Sequence, residues 1–250
     1  LGVVASTKIE ADLIIGYLRK KREIFSSGKY FYKGILENKI DTVVFICGIG
    51  KSNAAHGTTL LLERFKPQLI YVIGVGGAYP DSGLNIGDIA IAEKEIYGDE
   101  GLLVKIQNNI KEDFLSMERL NLPLATINGR NYYNEFTMLI PDRLREIHGF
   151  KAFDIKSNIL IGNFVTVSTC TGTLKKAKEI RERFNAICEN MEGASIAHIS
   201  LLYKVPVIEI RAISNIIEDR KAVPINKSDI IDAAEIVQKF FLQIVKNDKR

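Results

Sequence analysis

The 250-residue sequence has few cysteines, few histidines and no long apolar run, and each shortage excludes a class of protein. Its three cysteines, Cys47, Cys170 and Cys188, are odd in number, far apart and form no CxxC pair. Neither a disulfide framework nor a structural zinc site is therefore expected, and we predict reduced, buried thiols. The three histidines have no ligand spacing such as HExxH, so we expect no catalytic metal.

Membranes and nucleic acids are not expected partners either. Apolar stretches such as LIYVIGVGGA and KVPVIEI are too short to cross a bilayer. The opening residues LGVVAST contain no basic n-region and no cleavage site, so we expect a cytoplasmic protein. The formal net charge of +4 is mild and the basic residues are dispersed, which does not resemble a nucleic-acid footprint.

Short β-branched apolar runs alternate with amphipathic helical patterns along the chain. This alternation favours one α/β domain over residues 1–250, with a mixed, mostly parallel sheet between helical layers in a three-layer α/β/α arrangement. Residues 107–150 are more irregular and polar, and we expect an insertion there, near the site or at an interface. The predicted strands are GVVAS, DTVVFICG, LIYVIGVGG, DIAIAEKEI, NFVTVST, AICENM and VPVIEIRAI. The predicted helices are EADLIIGYLRK, SNAAHGTTLLLERF, KKAKEIRERF, ASIAHISLLY and DIIDAAEIVQKFFLQIV.

The polar signal is concentrated between residues 190 and 220. Glu192 stands in the first turn of a predicted helix, and Arg211, Ser214 and Asn215 follow one apolar strand later. Because open α/β sheets bind ligands at the carboxyl ends of their strands, we expect these groups to share one crevice. Each also has a structural explanation, since the helix dipole stabilises an acid in a first turn and an asparagine can cap a turn.

Glu10 follows the first predicted strand and has two interpretations. It completes a capping box, Thr7-x-x-Glu10, at the start of a helix. It also places a carboxylate at the end of a strand, where it can act as a general base on water. Spacing alone leaves both interpretations open.

Two glycine motifs imitate nucleotide-binding loops without their full pattern. GIGKS ends like a Walker A sequence, but the position of its first glycine is occupied by Phe45. GVGGAY begins like a dinucleotide fingerprint, but Tyr79 stands at its third glycine. Both loops still allow a close approach of the backbone to a small ligand.

Taken together, these stretches resemble the nucleoside phosphorylase and nucleosidase superfamily over almost the whole chain. Within it, the chain is similar to methylthioadenosine/S-adenosylhomocysteine nucleosidases, and YGDEG, VSTCTGT and RAISN make it more similar still to futalosine hydrolases. The segments that carry the superfamily resemblance are GVVASTKIE, VFICGIGKSNAA, GVGGAYPDSGLNIGDIAIAE, ENMEGASIAHI and VIEIRAISN.

The resemblance implies a role for each matching position. Glu10 and Asn215 would be the catalytic residues, with Glu10 activating water, while Met191 and Glu192 would hold the ribose and Ser214 would face the purine. It further implies a purine nucleoside as ligand, no metal or organic cofactor, and a homo-oligomer. The remaining predicted site residues are Gly74, Val75, Gly76, Gly77, Cys170, Thr171 and the supporting Arg211.

One position departs from the pattern of the adenine-specific members. They resemble RAISD, whereas this chain has Asn215 at the Asp position. An amide can accept from a protonated imidazole nitrogen and donate to a 6-oxo group, which favours hypoxanthine over adenine. The predicted reaction is therefore hydrolysis of futalosine to hypoxanthine and dehypoxanthine futalosine, in menaquinone biosynthesis. Arg220 and Lys221 are candidate partners for the benzoate of that substrate.

Three alternatives stay open. A methylthioadenosine/S-adenosylhomocysteine nucleosidase would share the same site. A purine nucleoside phosphorylase would need arginines in its early glycine loops to bind phosphate, and GVVAST and VIGVGGA contain none. A non-catalytic nucleoside-binding module would retain the purine contacts without needing Glu10.

Overall fold

The structure is a computed structural model that describes residues 1–105, 112–145, 157–220 and 226–247. The strands are β1 Gly2–Ala5, β2 Arg19–Ser26, β3 Lys29–Ile35, β4 Asp41–Ile46, β5 Ile70–Ala78, β6 Ile89–Tyr97, β7 Gly101–Lys105, β8 Glu112–Ser116, β9 Ala125–Ile127, β10 Arg130–Tyr132, β11 Glu135–Thr137, β12 Ile159–Thr166, β13 Ala186–Asn190 and β14 Val207–Ile216. The helices are α1 Asp12–Tyr17, α2 Lys51–Phe65, α3 Asp142–Arg145, α4 Leu174–Phe184, α5 Gly193–Leu202 and α6 Lys227–Lys246, with short 3₁₀ turns at Lys8–Glu10 and Glu37–Lys39.

One large mixed sheet organises the molecule. Its strand order is β11-β6-β12-β13-β5-β1-β4-β3-β2, and β14 pairs with both β5 and β6. The path from β5 through β13, β12, β6 and β14 therefore returns to β5, so this part of the sheet closes into a ring. Strands β1, β4, β3 and β2 extend from the ring as an open wing.

The prediction of a mixed α/β sheet is confirmed, but the sheet is not mostly parallel. Among the strand pairs of this sheet in the described residues, five are parallel and five antiparallel. The hairpin of β2 and β3 was missed because Arg19–Ser26 is largely exposed and lacks an apolar alternation. The helix predicted over residues 10–20 is shorter than expected, since α1 ends at Tyr17.

Helices cover both faces of the sheet, as predicted. One core packs α1 and α6 against β1 and β5, and a second packs α2 and α5 against the other face. Helix α2 shows the sequence reason, because its buried positions recur with helical spacing. These buried positions are Ala54, Gly57, Thr58, Leu61 and Leu62. A Cβ at Gly57 would lie 2.0 Å from Cζ of Phe45, so only glycine allows this close helix-to-sheet contact.

Strands β4, β1, β5 and β14 run parallel to one another, so their carboxyl ends meet at one edge. The backbone N–H of Gly48, after β4, donates to the carbonyl of Ser6, after β1, at 3.0 Å. Gly50 then begins α2 with a φ of 92°, a conformation that glycine tolerates best. The fold therefore gathers the loops after β1 and β4 beside the ends of β5 and β14.

Two of the three cysteines are buried free thiols, as predicted, and the third is not. Cys47 and Cys188 are buried, but Cys170 is exposed, because it lies in the loop after β12. Across the described ranges, no helix is long and apolar enough to span a bilayer. The irregular segment 107–150 contains β8 to β11 and α3, while residues 107–111 and 146–150 lie outside the described part.

Candidate active site

Arg211 lies at the centre of the candidate site. It is 2% exposed, and its Nε donates to Oε1 of Glu209 at 2.8 Å while Nη1 donates to the carbonyl of Val75 at 2.9 Å. Nη1 also lies 3.5 Å from Oε2 of Glu192. Burial by itself would lower the pKa of Arg211, but the charges of Glu209, Glu192 and Glu10 raise it above its ordinary value. The guanidinium is therefore a permanent cation inside the site.

Glu10 points into the same cluster from the turn after β1. Its Oε2 accepts from the backbone N–H and the hydroxyl of Thr7, at 2.8 and 2.7 Å. Its Oε1 accepts from the N–H of Val75 at 2.9 Å. The capping contact with Thr7 is therefore present, and the same carboxylate reaches the end of β5.

The environment of Glu10 raises the pKa of its carboxyl group. Burial raises the pKa of Glu10, and Arg211, the Val75 N–H and Thr7 lower it again in part, while the charge of Glu192 adds to the rise. A Cβ at Gly74 would lie 2.7 Å from Oε1 of Glu10. Only glycine at position 74 leaves room for this carboxylate.

Glu192 joins two loops at the other side of Arg211. Its Oε1 accepts from the N–H of Gly50 at 2.9 Å, which links the loop after β4 to the start of α5. The side-chain oxygen of Asn190 accepts from the N–H groups of Glu192 and Gly193, at 2.9 and 2.7 Å. Asn190 therefore holds the turn that presents Glu192.

The amide of Asn215 is presented at the end of β14 by a local irregularity. The register of β14 against β5 shifts between Ile213 and Asn215, at Ser214. The Ser214 hydroxyl lies 3.3 Å from the carbonyl of Gly76 and 3.1 Å from Oδ1 of Asn215. Within the described residues the Nδ2 group of Asn215 has no hydrogen-bond partner, so its N–H groups are available to a ligand.

The loop with Cys170 and Thr171 is fastened from below by Glu189. Thr171 donates to Glu189 through its N–H and its hydroxyl, at 2.8 and 2.6 Å, and the Tyr79 hydroxyl donates to Glu189 at 2.9 Å. Burial raises the pKa of Glu189, while Thr171, Tyr79 and the charge of Arg220 lower it in part. Arg220 therefore lies on this side of the site, whereas Lys221 falls outside the described residues.

All the predicted site residues belong to one connected set. Sγ of Cys170 lies 3.4 Å from Sδ of the half-buried Met191, the neighbour of Glu192. A Cβ at Gly77 would lie 3.1 Å from Nδ2 of Asn215. One placement differs from expectation, since Arg211 lies opposite Gly74 in the middle of β14 rather than at its end.

Sequence reasoning missed four polar residues beneath this surface. They are Glu95 in β6, Glu189 and Asn190 in β13, and Glu209 in β14. The signal that could have found them is a charged or amide group inside an otherwise apolar strand, because burying such a group is costly unless it is paired.

In the part of the chain that the structure describes, no set of three His, Cys, Asp or Glu side chains is arranged to hold a metal ion.

The fold is a mixed α/β sheet with helices on both faces, and a cluster of buried polar groups joins β5, β14, the turn after β1 and the start of α5. The sequence profile of the Phosphorylase superfamily matches residues 1–247. The chain belongs to this superfamily.

Its relatives include named nucleosidases. It is 26% identical over 249 residues to the 5′-methylthioadenosine/S-adenosylhomocysteine nucleosidase of Maridesulfovibrio salexigens, with 98% of each chain covered. It is 29% identical over 217 residues to the enzyme of that name from Oceanobacillus iheyensis, with 86% of each covered.

Solved structures confirm the fold. The nucleosidase of Neisseria meningitidis in complex with methylthio-immucillin-A superposes with a TM-score of 0.77 at 21% identity, covering 99% of this chain and 98% of the other. That of Colwellia psychrerythraea in complex with adenine gives 0.78 at 21% identity, covering 98% and 93%.

Replacing Arg211 by Met should destabilise the protein by about 3–5 kcal/mol, because it leaves buried carboxylates without their cation. The folded-state pKa of Glu10 is already raised, and losing Arg211 raises it further above the unfolded value. The folded variant then binds protons more tightly, so its deficit should shrink as the pH falls and grow as it rises.

Urea unfolding at several pH values measures this deficit. Arg119→Met, which removes an exposed partner of Asp113, is the control and should change stability little at any pH. A deficit for Arg211→Met that stays constant with pH would contradict the assigned charge cluster.

Proposed function

We propose that the protein is a purine nucleosidase, an enzyme that hydrolyses the N-ribosidic bond with Glu10 as the base. The observation that carries the proposal is the buried Glu10 carboxylate, fixed by Thr7 and Val75 and accompanied by Arg211 and Glu192. The names of the superfamily relatives support the same reaction. The proposal treats residues 1–250 as one nucleosidase domain, which the continuous sheet supports.

The reaction breaks the bond between C1′ of the ribose and the purine nitrogen, and the bond electrons leave with the base. The sugar passes through an oxocarbenium-like state that water attacks from the opposite face, as in glycoside hydrolysis. Glu10 takes the proton of this water and passes it to solvent, while the departing purine takes up a proton from solvent, since Asn215 cannot supply one. Glu192 grips the ribose hydroxyls, and this grip accelerates the reaction where it strengthens in the transition state. The scheme requires no metal and no organic cofactor.

Methylthioadenosine and S-adenosylhomocysteine are the substrates that the comparisons support best. Both sequence relatives carry these substrates in their names, and the similar structures hold adenine or methylthio-immucillin-A. The comparisons do not point specifically to futalosine or to menaquinone biosynthesis.

Futalosine is the second candidate, and Asn215 favours it. Oδ1 of Asn215 already faces the Ser214 hydroxyl, which leaves two N–H donors for the ligand. A 6-oxopurine presents two neighbouring acceptors, its 6-oxo group and its imidazole nitrogen, whereas adenine presents an amino donor beside that nitrogen. Arg220 lies near Glu189, on the side of the site that holds the loop with Cys170 and Thr171. A cation at this position suits the benzoate at the 5′ end of futalosine.

The expected assembly is a homo-oligomer and the expected location is the cytoplasm, and both stay predictions. Size-exclusion chromatography with light scattering measures the first. A monomer with full activity would contradict it.

Purified protein should release free base from a purine nucleoside without phosphate. The physical reason is the absence of arginines from the early glycine loops, which leaves phosphate without charged partners. The assay compares methylthioadenosine, S-adenosylhomocysteine, futalosine and inosine, each with and without phosphate, by chromatography of base and sugar. A ribose 1-phosphate product would indicate a phosphorylase, and calorimetric binding without turnover would indicate a binding module.

Glu10→Gln should lower kcat by roughly 10²-fold or more, the usual scale for a positioned general base. Because Glu10 also caps the turn after β1, a loss of about 1 kcal/mol in stability should accompany it. Turnover and thermal midpoint are measured together, with the exposed Asp12→Asn as control in the adjoining helix. A destabilised Glu10→Gln with normal kcat would leave Glu10 only its capping role.

Asn215→Asp should shift the preference towards 6-aminopurine nucleosides, because an ionised Asp would face a 6-oxo group as acceptor against acceptor. The ratio of kcat/KM for the hypoxanthine and adenine forms of one nucleoside should change about 10- to 100-fold, as expected for one unpaired buried group. The Ser214 hydroxyl keeps its acceptor in this variant, because Asp also has an Oδ1 atom, so the turn should keep its shape. An unmoved ratio with both activities intact would remove the main support for futalosine.

A further inference from the structure

Two carboxyl groups that the proposed reaction does not use lie side by side beneath Arg211. Glu95 of β6 and Glu209 of β14 are both 0% exposed, and the charge of Glu209 acts directly on Glu95. A Cβ at Gly193, the first residue of α5, would lie 2.1 Å from Oε1 of Glu95 and 2.5 Å from Oε2 of Glu209. Both oxygens therefore border the space that a side chain at position 193 would fill.

The hydrogen-bond inventory of the pair lacks one donor. Glu209 accepts from Arg211 Nε through Oε1, but among the described residues its Oε2 has no partner. Glu95 accepts from Nδ2 of Asn190 at 2.5 Å and from the hydroxyl of Thr166 at 2.8 Å. A proton on Oε1 of Glu95, donated to Oε2 of Glu209, supplies the missing partner, and an unpaired buried acceptor is costly.

The charges around the pair also require a proton there. Arg211 is the cation that faces both groups, and it already faces the carboxylates of Glu10 and Glu192. Two adjacent like charges in a low-dielectric interior cannot both ionise without a large cost. Among the described residues, the other titratable groups that face the pair include Cys188, Tyr79, Tyr97 and Glu192, and none of these four is a cation.

We propose that Glu95 and Glu209 share one proton and act as a single negative charge that positions Arg211 for the site above it. The proton resides on Glu95, and the charge resides on Glu209 against Nε of Arg211. The opposite edge of the guanidinium then faces the Val75 carbonyl and Glu192. The pair positions Arg211 and does not touch the substrate, because both carboxyl groups are fully buried and the proposed nucleoside site lies at the surface above them.

The environments of the two carboxyl groups raise the pKa of Glu95 more clearly than that of Glu209. Burial raises the pKa of Glu95 well above its ordinary value, and the charge of Glu209 raises it further, while Thr166 and Arg211 lower it in part. Burial also raises the pKa of Glu209, but Arg211 and the hydrogen bond from Glu95 lower it again. The proton therefore belongs on Glu95.

The first test needs no substrate. In the wild type, the folded state keeps a proton on Glu95 that the unfolded chain releases near its ordinary pKa of 4.5. A raised folded pKa gives stability that is lost as the pH rises towards it, so the unfolding constant should increase about tenfold per pH unit relative to Glu95→Gln. The exposed Glu93→Gln, on the same strand, is the matched control and should follow the wild type. Parallel curves for wild type and Glu95→Gln would overturn the proposal.

The second test rests on the proposed function and uses nucleoside turnover. Glu95→Gln keeps a donor to Glu209 and one negative charge and gives up only the acceptor for Nδ2 of Asn190, so kcat/KM should stay within about threefold of the wild type. Glu95→Ala removes the donor and should lose more, so that Gln acts as the rescuing variant. The double variant Glu95→Gln/Glu209→Gln keeps the shapes but removes the charge, and its kcat/KM should fall about tenfold or more below that of Glu95→Gln.

The outcomes separate the two proposals. If the double variant is as active as Glu95→Gln, Arg211 needs no charge from the pair and the positioning role is refuted. If Glu95→Gln is as impaired as Glu95→Ala, Glu95 is needed as an anion and the shared proton is refuted. If the wild type turns over no nucleoside, the proposed function fails, while the unfolding curves still decide the protonation of the pair.

Discussion

The buried guanidinium of Arg211 is the constraint on which the rest of the site depends. A cation taken out of water is tolerated only when carboxylates and carbonyl groups replace its hydration. Here those partners come from separate parts of the chain: Glu10 after β1, Val75 on β5, Glu192 before α5 and Glu209 on β14 itself. The need to pair the charge of Arg211 therefore fixes the relative positions of four segments. Two of them carry Glu10, the proposed general base, and Glu192, the proposed ribose ligand.

Closure of the sheet brings these segments within reach of one another. Because β14 pairs with β5 on one side and β6 on the other, Arg211 lies between Gly74 of β5 and Ala90 of β6. Two glycines, which have no side chain, are as important to this arrangement as the charged residues. Gly74 leaves room for Glu10, and Gly193 leaves room for the pair of Glu95 and Glu209. The same architecture lets a helix N-terminus, a strand end and a buried charge cluster meet without a steric conflict.

In the proposed reaction, the choice of base belongs to a more exposed layer of the site. Glu10 and Glu192 would act on water and sugar beside Arg211, and their roles would suit any purine nucleoside. The choice between bases would fall on Ser214 and Asn215, where the register of β14 shifts against β5. This separation would let one scaffold accept either an adenine or a hypoxanthine leaving group with few changes. The relatives favour the former, and the amide of Asn215 favours the latter.

Local signals in the sequence were sufficient for most elements and for the surface of the site. Apolar runs determined the central strands, helical spacing determined α2 and α6, and motifs around Glu192 and Asn215 identified residues that the structure brings together. Tertiary structure alone decided the closed ring, the hairpin of β2 and β3, and the partnership of Glu95 with Glu209. Sheet closure depends on pairings between residues far apart in the chain, as between Arg211 and Ala90, which no local periodicity encodes. A carboxylate inside an apolar strand likewise signals only that a partner exists, and the partner is identified only when the strands are placed side by side.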